Sequence, residues 1–99
     1  MRRASKIDVN QPEIVEALRA AGCSVTLLHA VGEGCPDILV GVSGHNVLME
    51  IKHGKNGLTE PQVRWHGAWT GTVYIVWSID DALAIVNKIR KGLLGGNPA

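Results

Sequence analysis

The sequence predicts an α/β fold: a sheet of about four strands with helices on both of its faces. Three observations carry this expectation. The elements alternate in the order helix, strand, strand, strand, helix, strand, helix, and such alternation layers helices against a sheet. Two stretches, Asn10-Gln11-Pro12-Glu13 and Thr59-Glu60-Pro61-Gln62, carry helix-start chemistry beside apolar residues at helical spacing. Four apolar, β-rich runs, at residues 25–28, 38–42, 47–51 and 73–77, have turn-forming residues nearby.

A chain of 99 residues forms one domain, near the lower end of comfortable core size. Residues 1–8 carry Arg2, Arg3 and Lys6 with little apolar content, and are expected to form a loose basic arm. In the first helix Asn10 is the expected cap, Glu13 its capping-box partner, and Val9 with Ile14 a hydrophobic staple. Ile14, Val15, Leu18 and Ala21 form the buried stripe, and Gly22 ends the helix. Residues 24–29 form a strand apolar on both faces, hence expected to be buried on both. A loop containing Gly32 and Gly34 leads into Pro36-Asp37.

Residues 37–52 form a hairpin with Ser43-Gly44 at its turn. Beyond it, residues 53–57 form a basic, glycine-containing loop. Thr59 and Gln62 make a second capping box, with Leu58 and Val63 as its staple. Gln62, His66 and Trp69 share one helical face, while Trp65 and Trp69 are expected in the core or at a subunit contact rather than as base-stacking platforms. The run at residues 73–77 is apolar throughout and expected to be a central strand. Ser78 caps the last helix, whose buried face is Ala82, Leu83, Ile85, Val86 and Ile89; residues 92–99 form a frayed tail.

The charge balance excludes a uniformly basic surface: ten Lys and Arg against nine Asp and Glu leave a net charge of +1. A nucleic-acid surface would have to come from local clustering. No apolar run is long enough to span a membrane and no leader suggests export, so a cytoplasmic location is expected. Cys23 and Cys35 are expected as free thiols.

The hairpin carries the chemistry. With the turn at Ser43-Gly44, Val42 faces His45 and Asp37 falls opposite Glu50, their Cβ atoms about 5 Å apart on one face. Lys52, two residues past Glu50, shares that face. A four-residue loop would set Asp37 opposite Lys52 instead, still on the same face. Two adjacent carboxylates repel each other, and a hard divalent cation such as Mg2+ or Mn2+ relieves that repulsion. Such an ion acidifies water and neutralises charge on a reacting phosphate, and a neighbouring lysine can orient either one. The combination fits metal-assisted phosphodiester hydrolysis.

Pro36-Asp37, the hairpin spacing and Glu50-Ile51-Lys52 resemble the PD-(D/E)XK nuclease superfamily. With the N-terminal helix, Gly34-Cys35-Pro36-Asp37 and Leu58-Thr59-Glu60-Pro61-Gln62, the chain from about residue 8 to 90 resembles its VRR-NUC-like branch, found in phages and related to Holliday-junction resolvases. The resemblance implies a restriction-endonuclease-like core with a mixed sheet, and a metal-dependent DNA endonuclease. Asp37 and Glu50 would hold Mg2+ or Mn2+ with the Ile51 carbonyl, and Lys52 would position the attacking water. Gln62 would be auxiliary, unless its cap is its whole role. The family also places a metal-site group on the first helix; alignment on the apolar spacing puts that position at Gln11, with Glu13 the nearest acid. Lys52, His53, Lys55 and Arg64, with Arg2 and Arg3 of the arm, are the candidate contacts to branched or duplex DNA. A homodimer is expected, since paired nicks in a two-fold substrate suit a symmetric enzyme. The competing expectation is a binding module on the same fold that has lost catalysis, resting on Gln11 where the family has glutamate. A metal site built from Cys23, Cys35 and the four histidines finds no close ligand spacing.

Overall fold

The structure is a computed structural model and describes residues 8–94. The hairpin sets its frame. Ser43 (φ 52°) and Gly44 (φ 81°) both take left-handed backbone, as a two-residue type I′ turn requires. Strands β2 (Ile38–Val42) and β3 (His45–Ile51) therefore pair antiparallel, with Val42 opposite His45 and Ile38 opposite Met49. Continued one step, this register sets Asp37 opposite Glu50, the arrangement predicted for a two-residue turn. Strand β1 (Ser24–Leu27) pairs antiparallel with the outer side of β2. Strand β4 (Val73–Val76) runs parallel to β3, and helix α2 (Glu60–Ala68) lies in the crossover that a parallel pair needs. The sheet order is β1-β2-β3-β4.

Alternation along the strands divides the sheet into two different faces. Ile38, Val40, Val47, Met49 and Ile51 point to one face and are almost completely buried. Helices α1 (Gln11–Ala20) and α3 (Ile79–Arg90) pack on each other over it, contributing Ile14, Val15 and Leu18 from α1 and Ala82, Val86 and Ile89 from α3. Asp37 and Glu50 fall on the opposite face, where α2 meets them. This is the predicted fold class: a mixed four-stranded sheet with helices on both faces.

Several local expectations are corrected. β1 ends at Leu27 and is mostly exposed, because it is an edge strand covered on one side. β4 is the other edge, not a central strand, and leaves Ile75 37% exposed. A continuous apolar run does not distinguish the two places, since an edge strand also needs its core face. Trp65 and Trp69 are not in the core, and α2 fully buries none of its residues. Val9 is 75% exposed and Val63 54%, so neither staple is buried. Leu94, assigned to the frayed tail, packs against the core. Residues 1–7, with Arg2 and Arg3, lie outside the described residues.

Asn10 is the most informative correction. Its backbone is already right-handed and its side chain makes no cap bond. Instead Nδ2 donates to the Lys52 carbonyl at 3.0 Å and to the Trp77 carbonyl at 3.0 Å. It thus ties α1 to the ends of β3 and β4, beside the first residue after β3. Asn10→Ala should lower stability by about 2 kcal/mol, at about 1 kcal/mol for each buried bond. A melting-temperature drop of about 10 °C would report this in a domain of this size. Asn10→Asp keeps the shape but points an acceptor at two carbonyls, so it should fare no better than alanine. A cap role would instead be rescued by aspartate.

Candidate active site

The end of β3 carries the polar centre. Glu50 is 1% exposed, Asp37 4% and Lys52 5%, so three ionisable side chains are buried together. Backbone bonds hold them. The Lys52 N–H donates to the Val76 carbonyl at 2.9 Å, extending the β3–β4 ladder, while Asn10 holds the Lys52 carbonyl. The Asp37 N–H donates to the Met49 carbonyl at 3.1 Å, and the Asp37 carbonyl accepts from the Leu28 N–H at 2.8 Å. Asp37 Oδ2 accepts from the Ile51 N–H at 2.6 Å. The Asp37 and Glu50 carboxyls are within hydrogen-bonding reach of each other.

Helix α2 supplies the other wall. Gln62 Nε2 donates to Glu50 Oε2 at 3.0 Å, and Gln62 Oε1 accepts from Lys52 Nζ at 2.6 Å. The same Oε1 accepts from the Thr59 N–H at 2.9 Å, completing a capping box with Thr59 Oγ1. The two roles weighed for Gln62, cap and site residue, are thus met by one side chain. Lys52 Nζ stands 3.9 Å from Glu50 Oε2. His66 Nε2 lies 3.4 Å from Glu50 Oε1. The close approach of α2 depends on Gly34, whose φ is +86° and where a Cβ would collide with the Pro61 carbonyl.

A cleft of about 450 Å³ opens onto this centre. Its wall includes the acids Asp8, Glu33, Asp37 and Glu50, with Lys52 as its only lysine or arginine among the described residues. The adjacency of the Asp37 and Glu50 carboxyls is what a divalent cation would relieve. Among the described residues no group of three or more His, Cys, Asp or Glu side chains is placed to hold a metal ion, so any cation here would rest on fewer side chains. Two carboxylates, a backbone carbonyl and oxygens from phosphate or water suit Mg2+ or Mn2+, which bind through one or two carboxylates plus substrate phosphate.

No protein-family model matches the sequence, and no curated protein matches it. A solved structure described as a VRR_NUC domain superposes with a TM-score of 0.63 at 21% identity, covering 81% of this chain and 97% of its own. The fold is that of a VRR_NUC domain.

On this fold the other predicted site residues are scattered. Gln11 is buried, its Oε1 unpartnered, in the wall of a separate groove beside Val15 and Leu27. Glu13 lines a different groove, with His53 and Trp77. Neither belongs to the wall of the acidic cleft. Lys55 is exposed on the loop after β3, and Arg64 is exposed but ion-paired to Glu60 at 2.8 Å. Such an exposed i,i+4 pair is weak and easily exchanged for a phosphate.

Two residues of the site were missed. Asp8, assigned by its sequence to a loose arm, lines the cleft, and nothing local in the sequence marks it. His66 touches Glu50, and its spacing four residues after Gln62 was the available signal.

Burial dominates the acidity of the cluster. It pushes Glu50 up to about 9, helped by the hydrogen bond to Asp37 and by that residue's charge. Asp37 is also raised by burial, against the bonds it accepts from Glu50 and the Ile51 N–H. In the metal-free protein the pair therefore retains a proton at neutral pH. Burial lowers His66, with Lys52 adding to the effect, so its imidazole favours the neutral form. Cys35 is raised by burial and by the charges of Glu50 and Asp37, which keeps it a thiol.

A carboxyl whose pKa is raised on folding binds its proton more tightly in the native state. Its contribution to stability is complete below the ordinary carboxylate range and is lost as pH rises toward 9. With chelator present, denaturant melts should therefore show stability falling from pH 5 to pH 9. Glu50→Gln, which mimics the protonated form, should flatten that slope and raise stability at the alkaline end.

Proposed function

We propose that the chain is a Mg2+- or Mn2+-dependent DNA endonuclease. The observation that carries this reading is the buried Asp37–Glu50 pair with Lys52 beside it, opening onto an acidic cleft. The likeness to a VRR_NUC domain supports a nuclease-type activity, and the PD-(D/E)XK kind is read from Pro36-Asp37 and Glu50-Ile51-Lys52. Asp37 and Glu50 would hold the ion with the Ile51 carbonyl. When bound, the ion supplies Lewis-acid charge against a phosphate and acidifies water.

The chain's own residues do the remainder. Gln62 bridges Lys52 and Glu50 and so fixes the ammonium relative to the carboxylate. Lys52 would orient the attacking water and stabilise the extra negative charge of the pentacoordinate transition state. The auxiliary role expected of Gln11 or Glu13 is assigned to Asp8, because the cleft wall includes it and neither of them. This weakens the case for a module without catalysis, which rested on Gln11. His53, Lys55 and Arg64, with Arg2 and Arg3 of the arm, are the proposed phosphate contacts. A chain this small does not enclose a duplex, so the working form is a homodimer acting on branched DNA such as a Holliday junction, in the cytoplasm of a bacterial or phage-infected cell. Among the described residues no helix is long and apolar enough to cross a membrane.

The test is nicking of labelled four-way junction, flap, single-stranded and duplex DNA in Mg2+ and in Mn2+. Wild type should cut, and Asp37→Ala or Lys52→Ala should each lose at least about a hundredfold in rate. Binding without cleavage in either metal would leave the binding module as the correct reading. Light scattering of the junction complex should give two chains; one chain would remove the dimer.

A further inference from the structure

We infer that Trp65 and Trp69 form a stacking platform for an unpaired nucleobase next to the cleavage site. The inference rests on the nuclease reading for the identity of its ligand. The two indoles are stacked, with ring centroids 4.6 Å apart and planes 21° from parallel. Trp69 is nevertheless 47% exposed, although it caps the end of α2. Its ring is held on another side by Gly71, where a Cβ would come within 2.8 Å of the indole Nε1. An exposed aromatic ring fixed in this way loses little conformational freedom on binding, which favours a flat ligand.

A chain of side-chain contacts links the platform to Glu50. His66 reaches Glu50, its ring meets Trp65 edge-on at 6.1 Å between centroids, and Trp65 stacks on Trp69. These ring spacings amount to a few base steps of about 3.4 Å. A base unstacked beside a phosphate in the cleft is therefore within reach.

From Pro61 to Ile79 the sequence contains no Asp or Glu, while Arg64 and His66 flank the rings. Arg64 is exposed and paired to the exposed Glu60, a weak contact it can exchange for a phosphate, so α2 offers an arginine beside stacked rings, a pairing that suits single-stranded nucleic acid.

The test is fluorescence anisotropy of the full chain with labelled oligothymidylate and with fully paired duplex, in Ca2+ so that neither is cut. Trp69→Ala should weaken oligothymidylate binding by about 5- to 150-fold and duplex binding by less than about twofold. Trp69→Phe keeps a π-face and should retain most of the affinity. Wild-type binding by Trp69→Ala, equal losses on both DNAs, or conversion of a dimer to a monomer by that substitution would each overturn the platform. Failure of the nuclease reading has a separate signature: no cleavage in Mg2+ or Mn2+ with the base-dependent binding intact.

Discussion

Placing two carboxyl groups side by side in a buried site, with one buried lysine beside them, is an unfavourable arrangement, and much of the local structure compensates for it. Desolvation opposes both charges and their mutual repulsion adds to it. The fold answers with donors, the Ile51 N–H to Asp37 and the Gln62 amide to Glu50, and with the His66 ring 3.4 Å from Glu50. What these do not neutralise is left as a retained proton. On the proposed reading, a divalent cation would bind this pair by displacing that proton.

The two faces of the sheet divide the work. One face, under α1 and α3, is dry and supplies stability through Ile14, Leu18, Met49, Val86 and their neighbours. The other is polar and carries the site. Helix α2 contributes no fully buried residue, and its contacts with the centre run through Gln62, His66 and the Gly34–Pro61 approach. Trp69 is left exposed for the same reason: this helix is placed by polar contacts rather than by an apolar stripe. Asn10 links the two faces, since it anchors α1 to the carbonyl of Lys52 itself.

Legibility followed how local each determinant is. The hairpin register was readable because Ser43-Gly44 selects a type I′ turn and the strand period of two then fixes which side chains share a face. That alone aligned Asp37 with Glu50. The second capping box and the stripes of α1 and α3 were likewise local. Asn10 was not readable, because a cap and a tertiary clamp use the same residue type at the same place. Asp8 precedes any periodic segment, so no pattern could carry it to the cleft. The exposure of β4 and of Trp69 depends on which elements fail to cover them, and an apolar sequence looks the same covered or open. His66 was half legible: the i,i+4 spacing put it with Gln62, but the helical pattern did not say that this face meets Glu50.

The central claim is that the Asp37–Glu50 pair is a divalent-cation site in which the ion replaces a proton. Calorimetric titration of Mn2+ into the protein near pH 7, repeated in buffers of different ionisation enthalpy, tests it most directly. The account predicts saturable binding with release of about one proton per ion, abolished in Glu50→Gln and Asp37→Asn variants that still fold. Binding that survives both substitutions, or no binding by wild type, would contradict it.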